Sequence, residues 1–219
     1  MKKTIIVLAV IALVAPLAFG QEVLSRNAVG YVKVTAPKGF ALVSMDFENM
    51  GGDTAADIIG DQLPQGSSLF FWDPVGQTYV GETKTKTGWA GTNKITLGRA
   101  MFFSVPNTAA SNEYQVYLMG EVPATTGQTY KTTGFYFQGY PYPVAQTWTN
   151  TDIAKQTAQG DSIFWWDVSG QTYAGATKTK TGWGGAATNK VLNPGEGFII
   201  SATADLTVNE TKPYTWPAE

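Results

Sequence analysis

The stretch GSSLFFWDPVGQTYVGETKTKTGWAG at residues 66–91 returns at 160–185 as GDSIFWWDVSGQTYAGATKTKTGWGG without a gap, and from Gln77 and Gln171 onward the two agree in twelve of fifteen positions. The likeness continues outward from it. TNKITLGRAMFFS (92–104) is answered by TNKVLNPGEGFIIS (188–201), and GFALVSMDF (39–47) matches GFYFQGYPY (134–142) by pattern. Each copy also carries one short helix-like stretch, DTAADIIGDQL from Asp53 and TNTDIAKQT from Thr149. A unit of about 95 residues therefore occurs twice, and EVPATTGQT (121–129), polar with one Pro and one Gly, is the natural joint between residues 21–122 and 123–219.

The apolar spacing inside the unit is that of strands. YVKVT (31–35) alternates, whereas FALVSM (40–45), SLFFW (68–72) and MFFSV (101–105) are short, nearly continuous apolar runs bounded by Gly, Pro, Asn or Asp. Such runs fit strands buried in a sandwich or barrel core. The expected class is all-β, two tandem sandwich-like β repeats with one short helix each. Trp72 and Trp166 sit inside apolar runs and are expected in the core.

The N-terminus reads MKKTIIVLAVIALVAPLAFGQE: two lysines, an apolar run, then small residues at Ala18 and Gly20. This is the pattern of a secretory signal over residues 1–20, and the run is short for a bilayer span. No transmembrane segment is expected after its removal, and the expected location is secreted, extracellular or cell-surface, with the periplasm open as well. With no Cys there is neither a lipid-attachment cysteine nor a disulfide, so stability must come from burial. Charged residues make up 15% of the chain, and removing Lys2 and Lys3 leaves a net charge near −4 with no basic patch. Nucleic acid is not an expected partner.

Asp73-Pro74-Val75-Gly76 and Asp167-Val168-Ser169-Gly170 read as tight turns, with the Asp accepting backbone hydrogens and the Gly free to take a positive φ. Beyond them, TKTKT sets Thr83, Thr85 and Thr87 on one face and Lys84 and Lys86 on the other, and Thr177 to Thr181 repeat the arrangement around Lys178 and Lys180. One interpretation is an edge strand whose lysines prevent aggregation. The other is a contact surface: Tyr79, Lys84, Lys86 and Trp89, mirrored by Tyr173, Lys178, Lys180 and Trp183, stacking on sugar rings or meeting a partner. The letter-for-letter match of the lysine–threonine run favours the contact.

The chain has no His, which removes the commonest general base and every His-dependent triad, and no Cys, which removes thiol nucleophiles and thiolate metal sites. Of the candidate carboxylates Asp73, Asp167, Glu82 and Glu196, only the two turn Asp residues recur in both copies. ENMGGD (48–53) and the Asp turns offer oxygen ligands for calcium but lack Asp-x-Asp spacing, so neither a metal nor a cofactor is implied. No catalytic residue is assigned.

The segments LFFWD…QTY…TGW…LGRAMFFSVP and IFWWD…QTY…TGW…LNPGEGFIIS resemble uncharacterised exported bacterial β-repeat proteins with WD…GW…PGxGFxI units, over most of residues 29–217. The first copy departs from the closing motif, since LGRAMFF lacks the Pro and the last Gly of NPGEGFII. The resemblance implies a secreted, non-enzymatic β-repeat protein and carries no activity. The expected function is therefore a structural protein that associates with copies of itself or with envelope components. The alternative is a carbohydrate-binding module with two equivalent aromatic and lysine sites for polysaccharide.

Overall fold

The structure is a computed structural model that describes residues 28–215, so the signal sequence expected over residues 1–20 lies outside the described residues. The first repeat contains β1 (Val29–Pro37), β2 (Gly39–Ser44), α1 (Ala55–Ile58), β3 (Ser68–Asp73), β4 (Thr78–Thr85), β5 (Gly88–Trp89), β6 (Ala100–Val105) and β7 (Glu113–Glu121). The second contains β8 (Gln128–Lys131), β9 (Gly134–Gly139), β10 (Gln146–Thr147), α2 (Asp152–Gln156), β11 (Ser162–Asp167), β12 (Thr172–Thr177), β13 (Val191–Leu192), β14 (Gly197–Ala202) and β15 (Leu206–Asn209). The fold is all-β with few helices, as the sequence implies. Both helices fall where the two helix-like stretches were read, and each is opened by a threonine. Thr54 forms a capping box with Asp57, and Thr151 accepts from Ala154 N–H.

Each repeat has two layers. Its main sheet runs β2-β6-β3-β4-β5 in the first copy and β9-β14-β11-β12 in the second, and its first and last strands pair antiparallel as a ribbon, β1 with β7 and β8 with β15. Every ladder in the two sheets is antiparallel. In the first repeat Val34, Ala36, Val116 and Leu118 of the ribbon meet Ala41, Val43, Leu69, Phe71, Met101 and Phe103 of the sheet, with Ile59 and Leu63 after α1 closing one side. A corresponding core around Trp148, Tyr142, Ile163, Phe198, Ile200 and Val208 fills the second.

The continuous apolar runs have a specific cause. Successive side chains of a strand point to opposite faces, and here both faces of each main sheet are covered. Leu69 and Phe71 face the repeat's own ribbon, while Phe70 and Trp72 face the other repeat. Leu42, Ala100 and Phe102 from one sheet and Phe137 and Ile199 from the other form this third core, with Phe70, Trp72, Phe164 and Trp166 around it. Each large side chain buried there contributes roughly 1.5–3 kcal/mol. Trp72 and Trp166 thus lie in the core between the repeats, half-buried, and not in the core of either one.

Candidate functional site

The repeated hairpin is a mutual clasp. Trp72 Nε1–H donates to Phe135 O at 2.8 Å, and Trp166 Nε1–H donates to Phe40 O at 2.9 Å. The amide of Gln77 takes both backbone groups of Phe135, accepting from its N–H at 2.7 Å and donating to its carbonyl at 3.1 Å. Gln171 does the same to Phe40, at 2.7 and 3.0 Å. Ser44 N–H bonds to Gly195 O at 3.0 Å where Gly139 N–H bonds to Gly98 O at 2.9 Å. On the pseudo-two-fold axis Tyr79 and Tyr173 meet through their hydroxyls, 3.2 Å apart. A self-complementary interface uses one patch twice, which is why one chain keeps these letters in duplicate.

The turn supplies the clasp in a way the sequence reading did not anticipate. The positive φ falls on Gln77 and Gln171, both at +48°, and not on Gly76 or Gly170. A non-glycine residue there costs roughly 1–2 kcal/mol, and the strain is offset by the three bonds each glutamine amide makes, including one to Pro74 O or Val168 O. Gly76 is small for another reason: a Cβ would lie 2.7 Å from the Asp73 carboxylate that accepts from Val75 N–H. The receiving strand needs Gly39 or Gly134 before its Phe. Both have positive φ, and a Cβ on either would lie 2.4 Å from the clasping Gln oxygen.

The eight residues singled out in the hairpins do not come together as one surface. Tyr79 and Tyr173 lie on the axis, 43% and 46% exposed. Lys84 stands on the other face of β4, where it is buried and donates to Asp61 Oδ1 at 2.8 Å and Leu63 O at 2.9 Å. Lys178 donates to Ala154, Lys155 and Thr157 carbonyls at 2.8–3.0 Å, closing the end of α2, and its pKa is lowered by the water it loses there. Trp89 and Trp183 are half-buried, their indole N–H groups tied to Gly60 O and Ala154 O at 2.9 Å. Lys86 and Lys180 are exposed at the hairpin tips. The expected cationic outer face is therefore reduced to these two lysines. The threonines are spent internally as well: Thr85 and Thr179 each bond a second threonine at 3.0 Å and a glycine carbonyl at 2.9 Å. Local packing accounts for the repetition of Lys84, Thr85 and Trp89 as Lys178, Thr179 and Trp183, and leaves Lys86 and Lys180 unexplained.

Two openings flank the tyrosine pair, each of about 310 Å³. One is walled by Trp72, Phe135, Phe137 and Phe164, the other by Trp166, Phe40, Phe102 and Phe70, and Tyr79 and Tyr173 border both. These twin cups present ring faces and edges and carry no charged side chain.

Asp46 is a residue the repeat logic could not find, because Pro141 occupies its place in the second copy. Its carboxylate is buried between the repeats, accepting from Ser44 Oγ–H at 2.6 Å and from Gly195 N–H. Burial pushes its pKa up to about 7, against the lowering effect of those two bonds and with help from the Glu196 charge. The folded protein thus holds the proton more tightly than the unfolded chain. The contribution of Asp46 to stability is expected to be fully present below about pH 4 and to be lost as pH rises to about 7, by up to roughly 4 kcal/mol at about 1.4 kcal/mol per pH unit. Urea midpoints should be higher at pH 5 than at pH 8, and Asp46→Asn should flatten that profile; an unchanged slope would remove Asp46 as its source.

A further exposed feature is the outer face of the β1–β7 ribbon. Val29, Tyr31 and Met119 are 59%, 67% and 61% exposed, and the Tyr31 and Tyr117 rings lie 5.9 Å apart across the strands. Compared with family models, curated proteins and solved structures, the chain has no match.

Proposed function

We propose that the protein is an exported, non-enzymatic structural protein that associates with copies of itself. The observation that carries this reading is the ribbon face, where Val29, Tyr31, Tyr117 and Met119 form one apolar group on a protein otherwise well supplied with internal partners for its aromatic rings. Apolar groups of this kind mark contact surfaces. The lack of His and Cys and the structural use of both turn Asp residues agree with a role without catalysis.

The test is sedimentation velocity with negative-stain microscopy on residues 21–219 over a wide range of concentration. Larger species are expected to grow with concentration and to diminish in the Tyr31→Ser, Met119→Ser double variant. A monomer at every concentration overturns the reading. The twin cups support a second one, binding of ring-shaped groups such as pyranoses between Tyr79, Tyr173 and the flanking Trp and Phe side chains. A persistent monomer that is retained on insoluble polysaccharide would put this reading in place of the first.

A further inference from the structure

The two strands of the first ribbon leave their outer edges in different states. Lys38 N–H bonds Asn112 O at 2.9 Å and Val122 N–H bonds Ala28 O at 2.7 Å, which fixes the phase of the ladder. The even-numbered residues of β1 carry its bonds to β7, and Tyr31, Lys33 and Thr35 turn their N–H and C=O groups away.

On β7 the outward groups are closed at every second position. Ser111 Oγ donates to Glu113 O at 2.7 Å and accepts from Glu113 N–H at 3.4 Å. The Gln62 amide takes both groups of Tyr117, at 2.6 and 3.2 Å. The backbone of Glu48 takes both groups of Glu121, at 2.9 and 3.0 Å. In the second repeat, Gln138 closes the outer edge of β8 in the same manner, accepting from Tyr130 N–H at 2.7 Å and donating to Tyr130 O. The first repeat has Val43 where the second has Gln138, so β1 lacks this amide. Among the described residues, no hydrogen bond reaches the outward backbone groups of Tyr31, Lys33 or Thr35.

An open edge of alternating N–H and C=O groups fits another extended backbone. Resting on the self-association reading above, we propose that this backbone is β1 of a second copy, paired antiparallel so that two ribbons become one four-stranded sheet. The side chains select the copy and its register. Centred on Tyr31, the pairing sets Tyr31 against its own equivalent and each Lys33 against the partner's Val29, so the lysines do not meet as they would in a pairing centred on Lys33. It also joins the Val29, Tyr31, Tyr117 and Met119 faces of the two copies across the seam. Pro37, with no N–H to offer, ends the edge. Such a pairing uses the same patch on both copies and closes as a dimer.

Lys33→Pro tests it, because this N–H points away from β7 and its loss leaves the ladder intact. The expected result is a concentration-dependent dimer in the parent chain and association weakened about tenfold or more in Lys33→Pro, the loss a blocked strand edge entails. If both associate alike, the edge is not the contact, while the self-association reading stands. If the parent chain stays monomeric, both fall. Hydrogen exchange on the parent chain decides the matter even if the variant misfolds. Slowing of the Tyr31, Lys33 and Thr35 amides with rising concentration supports the pairing. Slow exchange at every concentration would mean that residues 21–27 of the same chain cover the edge, and fast exchange throughout that nothing does; either overturns it.

Discussion

Trp72→Ala and Trp166→Ala are each expected to lower stability by about 3 kcal/mol, the low end for large-to-small aromatic substitutions because both rings are half-buried. Each removes a ring from the core between the repeats, together with an indole N–H bond to the facing strand. The two losses should be similar. Trp72 stacks on Phe137 with ring centroids 4.9 Å apart and planes at 10°, while Trp166, which has Leu42 at the equivalent place, meets Phe102 edge-on at 5.2 Å. Stacked and edge-on aromatic pairs alike add roughly 0.5–1.5 kcal/mol beyond their area. The double variant should lose less than the sum, since both rings line one interface. Because each repeat keeps its own core, the double variant should retain its far-ultraviolet circular dichroism while its radius of gyration in solution scattering increases. Urea midpoints unchanged from the parent chain would show that the clasp does not hold the repeats together.

That outcome could not have been derived from the sequence, although its ingredients were visible. The duplication and the period of the unit are written in 66–91 and 160–185, and the continuous apolar runs correctly require strands covered on both faces. The identity of the second cover is a long-range fact: Trp72 meets Phe137 of the other repeat through a contact that no local pattern encodes. The Gly-Phe pairs at 39–40 and 134–135 were aligned, but their glycines receive an amide from a distant turn, which periodicity does not report. Alternation puts Lys84 and Lys178 on the face opposite the threonines, and a lysine face reads as outward. Alternation shows that Tyr79 and Lys84 occupy opposite faces of β4 without saying which face is inside. The deciding partners are carbonyls near the ends of α1 and α2, about twenty residues upstream. The ribbon edge is a comparable case. Gln62 and Gln138 carry no mark in the sequence that distinguishes an edge-closing amide from a surface one.

Lys131→Ala is expected to cost about 3–5 kcal/mol, the range for removing one partner of a buried ion pair. Lys131 Nζ lies 2.7 Å from Asp161 Oδ2, and the side chains are 4% and 0% exposed. Asp161 also accepts from Ala158 N–H at 2.8 Å and Thr203 N–H at 3.1 Å. Burial raises its pKa, but the Lys131 bond and charge and these two N–H groups outweigh that and hold it below the ordinary value. In the parent chain this carboxylate therefore stabilises the fold above the unfolded pKa near 4, and the contribution is lost as pH falls through the lower folded value. Without Lys131 burial acts with one opponent fewer, so relative to the parent chain the variant should lose additional stability as pH rises from about 4 to 7. The first repeat provides the control, since it builds the same layers with Ala36 and Ser67 at the two positions. Lys131→Ala combined with Asp161→Ser should therefore recover most of the loss, because a pair replaced on both sides leaves no uncompensated charge. Urea denaturation of the three chains between pH 3 and 7 checks this. If the double variant is as unstable as Lys131→Ala, the damage comes from the space the lysine filled and not from the charge it left behind.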